Sequence, residues 1–270
     1  MKDKFIKTDN YEIYNYDCIE MMDLLIAEGK QVDLTVTSPP YDDLRDYEKS
    51  LVWNFDVFKK VANRLYEITK EGGVVVWVVG DMTKKGSETG TSFRQALYFK
   101  EIGFNLHDTM IWYKGPCPFP DKTRYYQSFE YMFILSKGKP SAFNPICDRK
   151  NKWSGTKVHG TRRQSDGTLK KPTGMKLGRE IKEYGCRFNV WEISPERKNT
   201  TGHPAVFPEA LVKDHILSWS NEGDTVFDCF MGSATTGKMA LLNNRKFIGI
   251  EKVEDYFEIS KQRISSNLEK

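Results

Sequence analysis

The sequence predicts an α/β domain built on a doubly wound, mostly parallel sheet. Three observations carry that expectation. Residues 74–79 form an unbroken apolar run, β-branched apart from Trp77, as a strand covered on both faces requires. Stretches with a helical apolar period alternate with short apolar runs, the pattern of strands that return to one sheet through helical crossovers. Finally, Thr225-Val226-Phe227-Asp228 leads through a Gly-containing turn directly into a helix, the unit from which nucleoside-binding sheets are built.

Each element has its own signal. Val32-Asp33-Leu34-Thr35-Val36-Thr37 reads as a short strand broken by Pro39-Pro40. Over residues 55–70, Phe58, Val61, Ala62, Leu65 and Ile68 share one face, an amphipathic helix expected to stop at Gly72-Gly73. Residues 92–102 give another helix ending at Gly103, and residues 109–113 and 131–135 give two more strands. Pro208 is expected in the first turn of a helix reaching Trp219. Next come the strand at 225–228, a helix from Thr235, a strand at 246–251 and a last helix from Glu254.

Composition excludes several classes. The chain has 270 residues, 39% hydrophobic and 29% charged, an ordinary globular balance. Its longest apolar run falls far short of the roughly 20 residues a membrane span needs. Met1-Lys2-Asp3-Lys4 leads into no apolar core, so no secretory signal is expected and the protein is expected to be cytoplasmic. Five scattered cysteines, never spaced Cys-x-x-Cys, argue for reduced thiols over a disulfide framework or a zinc knot.

The net charge of +4 hides a strong segregation. Residues 137–198 hold sixteen Lys+Arg against six Asp+Glu, a net of +10, and the remainder carries −6. The basic stretch is rich in Gly, Ser, Thr and Asn, with aromatics at Trp153, Tyr184, Phe188 and Trp191. Basic groups interleaved with aromatics suit a polyanion with stackable bases; a solvated insertion has the same composition.

Two motifs carry chemistry. In the first, residues 228–237, Asp228-Cys229-Phe230-Met231-Gly232-Ser233-Ala234-Thr235-Thr236-Gly237 follows a strand and opens a helix, and Glu251 ends the next strand. Small residues in such a turn let backbone N–H groups approach a ligand, and an acid at the following strand end can accept both ribose hydroxyls. The run lacks the dinucleotide glycine pattern and the P-loop spacing. A purely structural strand-to-helix turn remains open at this point.

The second is Thr37-Ser38-Pro39-Pro40-Tyr41. Two prolines fix φ and remove two donors, leaving a rigid loop of carbonyl oxygens, a hydroxyl and an aromatic ring. Such a loop can accept hydrogen bonds from a planar amine while Tyr41 stacks on the ring that bears it. A rigid turn with a half-buried Tyr is the plainer alternative.

Together these motifs resemble the β class of S-adenosylmethionine-dependent DNA amino-methyltransferases, in which the Ser-Pro-Pro-Tyr loop precedes the cofactor turn. Four further stretches are similar to that family: Tyr16-Asp17-Cys18; Gly202-His203-Pro204-Ala205-Val206-Phe207-Pro208-Glu209; Phe129-Glu130-Tyr131 through Lys137; and Ile248-Gly249-Ile250-Glu251. The resemblance covers residues 12–138 and 200–264, about three quarters of the chain. It implies a catalytic domain at 1–138 and 199–270 around a target-recognition region at 139–198. It implies a catalytic role for Ser38, Pro39, Pro40 and Tyr41. Cofactor binding falls to Asp17, Ala205, Phe207, Asp228, Phe230, Gly232, Ser233, Thr235, Thr236 and Glu251. Double-stranded DNA is the implied partner, and no membrane is; a homodimer and a restriction endonuclease acting on the same site stay open.

Two positions depart from the family. Cys229 stands where Pro is common, and Ala234 where Gly is common. An Ala there is comfortable only at negative φ, so a tighter or differently angled turn is expected.

Ser-Pro-Pro-Tyr resembles members that methylate the exocyclic N4 amine of cytosine, with adenine N6 as the alternative. Methylation of RNA or of a protein amide, and a DNA-binding module on a degenerate scaffold, fit less well. Cys117 lies in a Pro-rich loop without the partners that C5 methylation of cytosine requires. His107, His159 and His215 show no metal spacing, and His215 is expected to be packed or on the surface. The charged run Asp42, Asp43, Arg45 and Asp46 either contacts DNA or is a solvated loop.

Overall fold

The computed structural model describes residues 4–40, 53–116, 122–158, 160–170, 178–195 and 207–268. In chain order the elements are β1 (Phe5–Lys7), β2 (Tyr11–Asn15), α1 (Cys18–Ala27), β3 (Val32–Thr37), α2 (Phe55–Ile68), β4 (Thr69–Val79), β5 (Thr83–Lys84), β6 (Ser87–Glu88), α3 (Thr91–Glu101), β7 (Asn105–Tyr113) and β8 (Phe129–Ser136). They continue with β9 (Arg149–Lys150), β10 (Arg162–Arg163), β11 (Leu169–Lys170), β12 (Tyr184–Gly185), β13 (Val190–Glu192), α4 (Glu209–Trp219), β14 (Thr225–Asp228), α5 (Thr235–Leu242), β15 (Lys246–Glu251) and α6 (Glu254–Leu268). The chain divides into a larger unit, Met1–Asn144 with Asn189–Lys270, and a smaller one, Pro145–Phe188.

The larger unit is one nine-stranded sheet in the order β1-β2-β15-β14-β3-β4-β8-β7-β13. Pairing is parallel from β2 through β4 and between β7 and β13. It is antiparallel at β1–β2 and on both sides of β8. The run at 74–79 shows why β4 is central. Val74, Val76 and Val78 enter a core with residues of α4, α5 and α6, while Val75, Trp77 and Val79 enter a second core with residues of α1, α2 and α3. Alternate side chains leave opposite faces of a strand, so only a chain apolar at every position can seal both layers.

Local chemistry sets the helix starts. Asn54 caps α2 by accepting from Asp56 N and Val57 N, and the five apolar residues of its predicted face are all buried. Asp17 caps α1 in the same way through Ile19 N and Glu20 N. Pro208 is the N-cap of α4, one position before the expected first turn.

Several expectations change. Gly72-Gly73 does not end a helix in a loop, because β4 starts at Thr69, directly after α2. The pair forms a bulge. Gly72, at φ +79°, donates to Lys137 O at 2.6 Å, and Lys137 N donates to Gly73 O at 3.0 Å. Residues 189–195, assigned to the basic segment by charge, belong to the larger unit, where Trp191 is buried and its strand pairs with β7. Trp191 therefore presents no free face for stacking. His215 is wholly buried.

The smaller unit is built from short antiparallel pairs, β9 with β12 and β10 with β11. It carries twelve Lys+Arg against four Asp+Glu. Trp153, Tyr184 and Phe188 are exposed, with Lys152 Nζ 5.5 Å from the Trp153 ring and the Arg149 guanidinium 4.3 Å from that of Phe188. Cys147 and Cys186, far apart in sequence, bring their sulfurs within 2.7 Å as free thiols. Among the described residues, no helix is long and apolar enough to cross a membrane.

Candidate active site

Parallel pairing places the carboxyl ends of β15, β14 and β3 side by side at one edge of the sheet. Glu251 ends β15, Asp228 ends β14, and Ser38 with Pro39 follows β3. Ligands of open α/β sheets bind beyond such ends.

Two hydrogen bonds join the halves of this edge. The Thr37 hydroxyl donates to Asp228 Oδ1 at 2.6 Å, and the Thr236 hydroxyl donates to Val36 O at 3.2 Å. Residues almost 200 positions apart are thereby fixed in one frame. Pro39 is buried and Ser38 half-buried. Phe230 N donates to Asp228 Oδ1 at 3.0 Å. Burial pushes the Asp228 carboxyl up to about 6, against the lowering effect of hydrogen bonds from Thr37, Thr236 and the Phe230 amide.

Glu251 is held from two sides. Gly232 N donates to Oε2 and Val253 N to Oε1, each at 2.8 Å. Burial is the largest influence on its carboxyl and raises it to about 7, although the two amides favour the charged form. Each oxygen keeps a second lone-pair direction for an incoming hydroxyl. Asp17 sits beside the same strand end: its Oδ2 pairs with Lys252 Nζ at 3.1 Å, while Tyr16 N donates to Glu251 O.

The turn itself is tightly bent. Gly232 lies at φ +52° and Ala234 at φ +57°, ψ +40°. Ala234 does not take the negative φ at which an alanine is comfortable: the residue keeps the left-handed backbone that glycine would occupy. Ala234 is also the N-cap of α5 and offers that helix no side-chain hydrogen bond. Unpaired amides at a helix start attract anionic groups, so the cap position suits a ligand carboxylate. Phe230 packs edge-on against Trp53 at 5.4 Å and Trp77 at 6.4 Å. Gly237 lies inside α5, where a Cβ would come within 2.6 Å of the Phe247 ring, so this glycine serves packing.

Ser233, Thr235 and Thr236 are buried. The hydroxyls of Ser233 and Thr235 each accept from Arg263 Nη1 at 2.9 Å. Phe207 packs on the core beside the start of α4. Tyr41 and Ala205, together with Asp42, Asp43, Arg45, Asp46, Cys117, His159, His203 and Pro204, lie outside the described residues. His107 packs edge-on against Trp219, and no metal-binding cluster exists among the described residues.

Sequence reading missed two anchoring residues. Asp81, just beyond β4, accepts from Ser92 N at 2.9 Å and from the hydroxyls of Ser92 and Thr89, and so anchors the start of α3. Its signal was available as an acid placed just after a buried strand. Arg263 carries no motif, and only the packing of α6 reveals it.

The chain matches the DNA methylase family over residues 32–262. It belongs to the N6/N4 DNA methylases. The enzyme is 58% identical over 243 residues to the orphan methyltransferase M.BamHII of Bacillus amyloliquefaciens, covering 87% of this chain and 89% of that one. Among solved structures, it resembles the complex of M1.HpyAVI with S-adenosylmethionine at 25% identity and TM-score 0.60, covering 94% and 99% of the two chains. It also shares the fold of the cytosine-N4-specific PvuII DNA methyltransferase at TM-score 0.67 and 22% identity, covering 95% and 87%. The enzyme is thus an S-adenosylmethionine-dependent DNA amino-methyltransferase of the β class. The residues present fit that cofactor: a buried acid beside the turn suits hydroxyl donors, and an uncapped helix start suits an amino-acid carboxylate.

Proposed function

We propose that the enzyme methylates the N4 amine of a cytosine flipped out of duplex DNA. The observation that carries this reading is the hydrogen bond from Thr37 to Asp228, which locks the Ser-Pro-Pro loop beside the cofactor turn. In this reading Glu251 accepts the ribose hydroxyls, Asp17 faces the adenosine, and Asp228, Phe230, Gly232, Ser233, Thr235 and Thr236 shape the seat of the methionine part. Phe207 closes its other side, and cofactor binding is assigned to Ala205 as well. Bound there, the cofactor supplies an electrophilic methyl on a sulfonium.

Ser38 Oγ and the Pro39 carbonyl accept hydrogen bonds from the amine and turn its lone pair toward that methyl. The same acceptors stabilise positive charge as it develops on nitrogen. Tyr41 stacks on the base. Base flipping is required because the amine is otherwise paired. A serine hydroxyl is a poor base, so its role is orientation.

Ser38 at the head of the loop favours cytosine over adenine N6. The smaller unit supplies DNA recognition: Lys150, Lys152, Lys157 and Lys182 are exposed and suit phosphates, and Trp153 suits a base. The test is to incubate the enzyme with labelled S-adenosylmethionine and duplex DNA, then digest to nucleosides. Label in N4-methylcytosine is expected. Label in N6-methyladenine overturns the choice of base.

A further inference from the structure

Ala234 poses a physical problem. An L-residue resists the left-handed region because its Cβ crowds the following carbonyl. Ala234 adopts that region at a fully buried site, without a side chain able to hydrogen-bond in compensation. The residues on either side of it are gripped by a single group. Arg263 Nη1 donates to Ser233 Oγ and to Thr235 Oγ1, each at 2.9 Å, and to Ser233 O at 3.2 Å. The other arm of the guanidinium, Nη2, donates to Glu209 Oε1 at 2.7 Å. Lys238 Nζ reaches the same oxygen at 2.7 Å. Burial raises the Glu209 carboxyl, but hydrogen bonds from Lys238 and Arg263 outweigh it and leave the group below its ordinary value.

We propose that Arg263 is a positioning residue for the cofactor turn. Its guanidinium holds Ser233 and Thr235 so that Ala234 stays left-handed and the amides of Thr235 and Thr236 at the start of α5 keep their aim. Through Glu209 it also ties the turn to the segment that carries Phe207, so the two sides of the methionine seat move as one. The planar fork is essential, because a lysine ammonium is a single point and cannot span two hydroxyls and a carboxylate. This inference rests on reading residues 228–237 as the cofactor's seat. Lys238 still pairs with Glu209 when Arg263 is replaced, so the substitution leaves no orphaned carboxylate.

The test uses Arg263→Met and Arg263→Lys in the full chain, with S-adenosylhomocysteine as the calorimetric probe. Both variants are expected to bind it about tenfold more weakly and to raise KM by a similar factor, with kcat within about twofold, as loss of positioning without loss of chemistry requires. Amide exchange at residues 232–236 should accelerate, while that of α6 stays slow. Adding Ala234→Gly removes the conformational penalty and should recover about fivefold of the affinity. Unchanged affinity in Arg263→Met overturns the proposal. So does exchange that rises along all of α6, with no recovery on Ala234→Gly, since that marks a purely structural role. The cofactor-seat reading fails separately, in the unmodified enzyme, if S-adenosylhomocysteine protects no amide at 228–237 and Glu251→Ala binds it normally.

Discussion

Both oxygens of Glu251 take backbone amides, yet burial lifts its carboxyl to about 7. The free enzyme at neutral pH is therefore a mixture of protonated and ionised forms. Ribose hydroxyls and a nearby sulfonium both favour the ionised form, so cofactor binding lowers this value and expels a proton. Calorimetry at pH 7 in buffers of different ionisation enthalpy should show release of up to about half a proton per cofactor. Glu251→Gln should abolish the buffer dependence. Ser38 is tested by separating steps: Ser38→Ala should slow single-turnover methyl transfer about 10²-fold, the scale for losing one oriented transition-state contact. Affinity for S-adenosylhomocysteine should stay within about twofold. Wild-type single-turnover rates would remove Ser38 from the chemistry.

At the scale of elements, the same residue type does different work in different places. Gly232 serves the bend of the turn, whereas Gly237 serves the contact between α5 and β15. Glycine to alanine inside a helix ordinarily stabilises by about 1 kcal/mol. Here a Cβ would stand 2.6 Å from a ring carbon of Phe247, a residue that is itself fully buried and cannot retreat. Overpacking of this kind costs about 1–3 kcal/mol, so Gly237→Ala should be destabilising, by about 1 kcal/mol net, in denaturant unfolding. Local spacing made α2 and β4 legible, since Phe58, Val61, Ala62, Leu65 and Ile68 repeat at a helical interval. It left α1 and β2 unread, because the first helix is apolar on more than one face and β2 is a short strand with a charged residue, Glu12, at its second position. Gly72-Gly73 looked like a stop signal and proved to be a bulge, because strand pairing with residues 137–141 lies outside any local window.

For the molecule as a whole, pH and salt probe its two units separately. His215 is sealed between the layers: Nε2 lies 3.1 Å from the Met132 sulfur, the ring packs on Trp191 at 4.6 Å, and Nδ1 has no hydrogen-bond partner among the described residues. Burial drives its pKa down to about 3. The unfolded chain binds a proton near 6.5 and the folded chain does not, so this group's contribution is full above pH 6.5 and is lost as pH falls toward 3. Relative to His215→Phe, the wild-type enzyme should lose about 1.4 kcal/mol of stability per pH unit below 6.5. Taking the difference between the two proteins cancels Asp228 and Glu251, whose raised values act in the opposite sense. The smaller unit is tested by salt. Each phosphate contact adds about 0.9 to the slope of log affinity against log salt, so neutralising Lys152 or Lys182 should lower it by about one unit apiece. An unchanged slope would exclude that lysine from the DNA interface.

The sequence by itself determined most of the larger strands and helices, the buried central strand, the Ser-Pro-Pro loop, the acid-flanked turn and the segregation of charge. These are properties of residues near each other along the chain, where period, proline and glycine act directly on the backbone. Only the tertiary structure decided that β3 lies beside β14, that Thr37 meets Asp228, that Cys147 meets Cys186, and that Arg263 reaches back across α5 and β15 to the hydroxyls on either side of Ala234. Those contacts join positions tens to hundreds of residues apart. They are selected by which faces can be buried together, and no local window of the sequence contains that information.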